Sequence, residues 1–217
     1  ERIGGVTQGG ATIEYDITLA RTSNALAFFG LDAESLDITV TAPGPTVIYD
    51  ESIDLTSRDL VGNFWEYVFN DFRLRSDLVI LDALLPSGAL LSISINGGVA
   101  AQVAEIIIGS NLEIGETLVD TSLGIVDYSK KERDEWGGIF LVPRPVTSTV
   151  SFRFSIPTSG ASRVQQIMQR ISSKMCVFFA IQGEDAFGTT VAGVLRDYDL
   201  TLTTGRSFGL IEVESLA

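Results

Sequence analysis

The 217-residue sequence contains no histidine, one cysteine (Cys176) and only three lysines, all of them in its second half. Without histidine, no mechanism can use an imidazole base, and the most frequent protein ligand of transition metals is missing. A lone cysteine cannot form a disulfide within the chain, and it excludes four-sulfur zinc or iron–sulfur sites. No run approaches the roughly 18 consecutive apolar residues of a membrane-spanning helix. We therefore expect no cofactor and no membrane insertion.

The sequence is rich in acidic and apolar residues. The 28 Asp and Glu residues against 15 Lys and Arg give a net charge of -13, which argues against direct binding of nucleic acid or of an anionic membrane surface. With 45% hydrophobic and 20% charged residues, the composition is typical of a folded chain. The length fits one large domain or two domains of about 100 residues each.

The first half of the chain alternates between apolar and polar residues with a period of two. In residues 11–19, Ile13, Tyr15 and Ile17 share one face, whereas Glu14 and Asp16 lie on the other. Turn-forming residues such as Pro86-Ser87-Gly88 separate these segments. Similar segments follow at 25–30, 35–41, 46–50, 63–70, 77–82, 90–95 and 103–109. This pattern predicts a β-sandwich of jelly-roll type for residues 1–112.

The second half, residues 113–217, has a different pattern. Its net charge is -3, from 10 basic and 13 acidic residues, against -10 for residues 1–112. Ser162 followed by Gln165 has the spacing of a capping box, and the apolar positions after it recur at helical spacing (Val164, Ile167, Met168 and Ile171). Strands are predicted on both sides of this helix, at 123–128, 139–142, 147–156, 176–182, 191–203 and 208–216. We expect an α+β domain in which the helix covers one face of an antiparallel sheet.

Two patterns in this half suggest enzymes, but each has a simpler interpretation. Residues 205–209 match the G-x-S-x-G nucleophile elbow, yet both flanks look like strands and no histidine is available to activate Ser207. We interpret this segment as a hairpin turn. Asp197, Asp199, Glu212 and Glu214 could gather on two paired strands as a glycosidase or calcium site, but a solvated sheet face is favoured.

Aromatic residues offer a further candidate site. Trp65, Tyr67 and Phe69 alternate on one predicted strand and could stack on a sugar ring, although the same alternation is typical of a strand facing a core. Trp136 differs from them because it lies among charged residues and glycines. A lone aromatic residue on a loop is a better candidate for an interface anchor.

The densest charge cluster surrounds Trp136, in residues 127–137. It is either a solvated β-hairpin loop or a mixed-charge contact between subunits, in which opposite charges determine the register of two copies. The candidate residues of this inter-subunit hairpin are Asp127, Tyr128, Lys130, Lys131, Glu132, Arg133, Asp134 and Trp136.

The same cluster carries a resemblance to a known family. Residues 123–137 and 141–144 resemble the pattern G-I-x-D-Y-S-x-K-E-x-D-x-[FW]-G…L-V-x-R of a family of tailed-bacteriophage virion proteins. Residues 194–198 and 210–216 are similar to the closing segment of that family, with Ser215 where a glycine is expected. Residues 13–17 and 24–31 are similar to the opening strands of galactose-binding jelly rolls.

The resemblance implies a non-enzymatic structural protein of the phage tail tip or distal tail (the baseplate), located in the virion. Domains of this kind, similar to tail-tube domains, form rings in which the sheets of neighbouring subunits continue around a channel. The expected partners are further copies of the chain and other tail proteins such as tube, hub and fibres. The alternative is a carbohydrate- or receptor-binding module that uses residues 1–112 on a host-surface glycan. A glycoside hydrolase that uses the four acids comes third.

Overall fold

The computed structural model describes residues 6–44, 46–56, 76–118, 121–133, 136, 138–144, 146–180 and 189–215. The chain divides into two compact units, Glu1–Leu112 (unit 1) and Glu113–Ala217 (unit 2). Strands of antiparallel sheets dominate both units, and the described residues contain one α-helix. The prediction of a mainly β protein with one helix is therefore confirmed. No described helix is long and apolar enough to cross a membrane.

Unit 1 is a β-sandwich. A four-stranded sheet in the order β2-β7-β4-β5 and a three-stranded sheet in the order β6-β3-β9 contribute to one buried core, and β1 and β8 form a separate two-stranded ribbon. From the four-stranded sheet come Ile38 and Ile93, and from the three-stranded sheet come Leu26 and Phe28. The strands are β1 Thr7–Gln8, β2 Thr12–Thr18, β3 Ser23–Phe29, β4 Ser35–Thr41, β5 Val47–Asp54, β6 Leu78–Leu85, β7 Leu90–Asn96, β8 Gln102–Val103 and β9 Glu105–Gly109. The finer likeness to galactose-binding jelly rolls stays a prediction.

Unit 2 is a six-stranded antiparallel sheet with a helix on one face. The sheet order is β10-β14-β17-β16-β15, and β11 also pairs with β14, while β12 and β13 form a two-stranded sheet of their own. The elements are β10 Glu116–Thr117, β11 Ser122–Asp127, β12 Lys130–Arg133, β13 Ile139–Val142, β14 Val146–Pro157, α1 Ala161–Ile171, β15 Met175–Phe178, β16 Val191–Thr201 and β17 Arg206–Ser215.

The helix packs on the sheet through the predicted stripe. Val164 and Met168 are buried in a core cluster with Phe152 of β14, Val213 of β17 and Phe178 of β15. This cluster defines the core face of the sheet. A helix with one apolar stripe gains most of its stability from such packing, because an isolated helix of 11 residues is marginal in water.

The predicted capping box is wrong. The N-cap is Gly160, with no hydrogen bond from a side chain, and Ser162 is already the second residue of the helix. A 3-10 turn, Thr158–Gly160, leads directly into α1. The Thr158 hydroxyl donates to the carbonyl of Thr203 at 2.7 Å, and the Thr158 N–H donates to the carbonyl of Gly205 at 3.1 Å. These bonds to the β16–β17 turn determine where the helix begins.

One close approach in the core requires glycine. The Phe154 ring of β14 covers Gly209 on the neighbouring strand β17, and its centroid lies 6.5 Å from that of Tyr198 in a stacked arrangement. A Cβ atom on Gly209 would lie 2.4 Å from the Cζ atom of Phe154. The aromatic side chain thus fills the space that the glycine leaves open on the core face.

Candidate functional site

The predicted charge cluster forms an arm, residues 130–142, that is distinct from the main sheet. Its strands β12 and β13 pair in antiparallel register from Lys130 opposite Val142 to Arg133 opposite Ile139. The flanking strands β11 and β14 pair up to Asp127 opposite Val146. The arm is therefore the continuation of an edge hairpin of the sheet, and the ladder is interrupted at two short links, 128–129 and 143–144.

Hydrogen bonds hold the two links together. The Asp127 carboxylate accepts the Ser129 N–H at 2.9 Å, and the Ser129 hydroxyl oxygen accepts the Arg144 N–H at 3.1 Å. The second bond joins the two sides of the ribbon where the strand ladder is interrupted. These hydrogen bonds therefore keep the register of the arm consistent with that of the sheet.

Tyr128 connects the base of the arm to the sheet. Its phenol donates a hydrogen bond to the carboxylate of Glu214 on β17. That hydrogen bond is the main reason that the pKa of Tyr128 lies above its ordinary value, and the positive charge of Arg196 opposes the shift. A neutral phenol is a donor and a phenolate is not, so the link depends on the protonated form.

Those charged side chains of the arm that the structure describes are solvent-exposed. Lys130 and Glu132 lie on the same face of β12 and form an ion pair, with more than half of each side chain exposed. Such exposed pairs contribute little to stability. Arg133 is exposed, the backbone of Lys131 pairs with Leu141, and Asp134 lies outside the described residues. The role of these residues in a contact between subunits stays a prediction.

Exposed apolar side chains concentrate in the same part of unit 2. Trp136 is 93% exposed, Ile125 76% and Leu123 61%. Exposed apolar side chains that cluster in this way are typical of surfaces that bind another protein. We call the following set the apolar strip: Leu123, Ile125, Tyr128, Trp136, Leu141, Val142 and Val146.

Part of the apolar strip extends the core face of the sheet. Leu123 lies opposite Val150, which is buried and in turn lies opposite the buried Val213. Ile125 is two residues further along β11 and therefore points to the same side of the sheet. The core face thus continues onto β11, but there its apolar side chains are exposed rather than covered. This feature is not visible in the sequence, because alternating apolar residues look the same on an edge strand as in a core.

In the described part of the chain, two strands at opposite sides of the sheet each have one unpaired edge. β11 pairs with β14 alone, and β15 pairs with β16 alone. Unpaired N–H and C=O groups along a sheet edge can pair with a strand from another chain. Unit 2 therefore has an unpaired strand edge on each side of its sheet.

The four predicted acids do not form one cluster. Asp197 lies opposite Glu212, but Asp199 lies opposite Leu210 and Glu214 opposite Val194. A β-bulge between Leu195 and Asp197 produces this register. Among the described residues, no three His, Cys, Asp or Glu side chains come close enough to hold a metal ion.

The G-x-S-x-G segment belongs to a hairpin, as predicted, with Gly205 in the turn and residues 206–209 in β17. The turn joins β16 to β17, and Gly205 has a positive φ of 93° there. Ser207 is fully buried, with its hydroxyl oxygen 3.0 Å from that of Thr158. The serine links the turn to the start of the helical segment and is not accessible to a substrate.

The outer face of the four-stranded sheet in unit 1 carries acids and hydroxyls. Ser92 donates to Asp16 at 2.6 Å, and Thr39 donates to Asp50 at 3.1 Å. The four strands β2, β4, β5 and β7 contain no lysine or arginine. Trp65, Tyr67 and Phe69, which the sugar-stacking hypothesis requires, lie outside the described residues, as does the predicted strand 63–70.

No protein-family model, curated protein or solved structure matches the chain.

Proposed function

We propose that this chain is a non-enzymatic structural component of a bacteriophage tail tip and that it assembles through unit 2 into a ring of identical subunits. The observation that carries the proposal is the arm with its apolar strip, where exposed apolar side chains and exposed charges occupy one segment. The resemblance of residues 123–137 and 141–144 to tailed-phage virion proteins supports it, because most of the arm lies within that motif.

The arrangement favours a contact between two different surfaces of the chain. The arm extends an edge hairpin at the β11 side of the sheet, whereas the β15 edge lies at the opposite side. A contact between two non-equivalent surfaces repeats from copy to copy, and it closes into a ring when the rotation between copies permits. Other tail proteins would then bind the surfaces that the ring leaves free.

Light scattering of the purified chain, followed by electron microscopy, tests the proposal. We expect a discrete oligomer with a central channel. A triple variant in which Lys130, Lys131 and Arg133 are each changed to Glu should remain folded but lose assembly, because it places new carboxylates beside Glu132 on the arm.

The chain offers a control with the same change in net charge. Arg21, Arg153 and Arg206 are exposed basic residues that lie outside the arm, α1 and β15. Changing these three to Glu should leave the oligomer intact. A wild-type chain that stays monomeric at high concentration contradicts the proposal, and equal loss of assembly in both triple variants contradicts the role of the arm.

A further inference from the structure

The two unpaired edges of unit 2 differ in how their core faces are covered. On the β15 side, Phe178 is buried in the same cluster as Val164 and Met168 of α1. On the β11 side, Leu123 and Ile125 point to the same face but remain 61% and 76% exposed. The helix thus covers the sheet at one edge and not at the other.

We infer that β11 of one copy pairs with β15 of the next copy and that the neighbouring helix α1 covers Leu123 and Ile125. This inference rests on the proposed function and names the surfaces that form the contact. Pairing of the two edges joins the sheets of the two copies, and their core faces then lie on the same side of the joined sheet. The side chains left exposed at the β11 edge then lie next to Cys176 and Phe178 of the neighbour, beside its helix.

The occupant of this face must supply both an unpaired strand edge and an apolar cover. Leu123, Ile125 and Val146 share the core face at the β11 edge and are 61%, 76% and 54% exposed. These three side chains alone expose less than the roughly 800 Å² that a stable interface buries on each partner, so backbone pairing and the arm must contribute the rest. A second copy offers both features at its β15 edge, an unpaired strand and a helix packed on the core face. We therefore take a second copy as the occupant of this face.

Pairing of β11 with β11 across a two-fold axis would not provide the same cover. Both copies would then meet at their uncovered edges, and neither would contribute its helix. Pairing of β11 with β15 covers Leu123 and Ile125 in every copy except the last in an open chain. The pairing is heterologous, as ring closure requires.

The single cysteine supplies a direct test. Cys176 lies on β15 with its side chain on the core face, the face on which Leu123 and Ile125 lie on β11. Within one copy, three strands separate β11 from β15. Four spacings of about 4.8 Å give roughly 19 Å, far beyond the reach of a disulfide. Any disulfide between these two strands must therefore join two copies.

The experiment uses the full chain with Leu123→Cys or Ile125→Cys, oxidised and analysed on a non-reducing gel. Burial raises the pKa of the Cys176 thiol, so oxidation is run at about pH 9, where more of it is thiolate. We expect a ladder of dimers and larger multimers from at least one variant. Ser122→Cys is the matched control, because it places the thiol on the opposite face of the same strand. It should give few disulfide-linked multimers.

Each outcome decides between the alternatives. A ladder that disappears when Cys176→Ser is added supports the pairing of β11 with β15. A dimer that persists in the Cys176→Ser background shows contact between two β11 strands and overturns the inference. An oligomer in light scattering without a ladder from either variant also overturns it, yet leaves the proposed function standing. A strict monomer overturns the proposed function itself.

Discussion

Ile125→Thr should weaken self-association while leaving the fold unchanged. Both residues are β-branched, so the strand preference is kept, and Ile125 is 76% exposed in the single chain. The change removes about two carbon groups, each worth about 0.8 kcal/mol when buried, so burying 76% of them accounts for roughly 1.2 kcal/mol. The added hydroxyl costs up to about 1 kcal/mol more on burial. We therefore expect the free energy of association to fall by about 1–2 kcal/mol per contact, which raises the dissociation constant roughly 5- to 30-fold.

Sedimentation velocity over a concentration series measures this effect, and thermal unfolding of the same samples checks the fold. Val47→Thr, on a 53% exposed strand position of unit 1, is the matched control and should leave association unchanged. Both variants should unfold within about 0.5 kcal/mol of the wild type. If Ile125→Thr associates as tightly as the wild type, then β11 does not contribute to the contact and the apolar strip has been misinterpreted.

Three further predictions concern the stability of unit 2. Gly209→Ala should lower the free energy of unfolding by about 1–3 kcal/mol, because its Cβ would lie 2.4 Å from an aromatic ring; Gly160→Ala, with no atom within 4 Å, should be nearly neutral, and chemical denaturation compares the two. Ser162→Ala should change stability by less than about 0.5 kcal/mol in the same assay, since Ser162 does not cap the helix; a loss of 1 kcal/mol or more would contradict this. The pKa of Tyr128 is raised in the folded state, so the stabilisation from its bond to Glu214 should be present below pH 10.0 and decrease as the phenol ionises above it. Unfolding of Tyr128→Phe should therefore depend less on pH above 10.0 than that of the wild type, and identical profiles would argue against the bond.

Local pattern was sufficient to predict most elements of the fold. The alternation around Ile13 and Ile17 predicts β2, and the stripe of Val164 and Met168 predicts α1 and its buried face. The start of the helix was not predictable from the same window. It depends on hydrogen bonds between Thr158 and the β16–β17 turn, about 45 residues further along the chain.

The candidate site was only partly predictable from the sequence. The charge cluster identifies the arm, but a strand such as β12, with the sequence KKER, has no apolar alternation to indicate it. The register of the four acids depends on the bulge before Asp197, which a period-two pattern does not show. The exposure of Leu123 depends on the position of β11 at the sheet edge, and only the strand order determines that position.

The acid-and-hydroxyl face of unit 1 affects how copies of this chain meet in solution. Glu14, Asp16, Asp37, Asp50 and Asp54 point outward from a face whose strands contain no basic residue. When two such faces approach within about 8 Å in physiological salt, their carboxylates repel each other. Collisions that bring two of these faces together therefore tend to separate again. The repulsion disfavours nonspecific association through this face of unit 1.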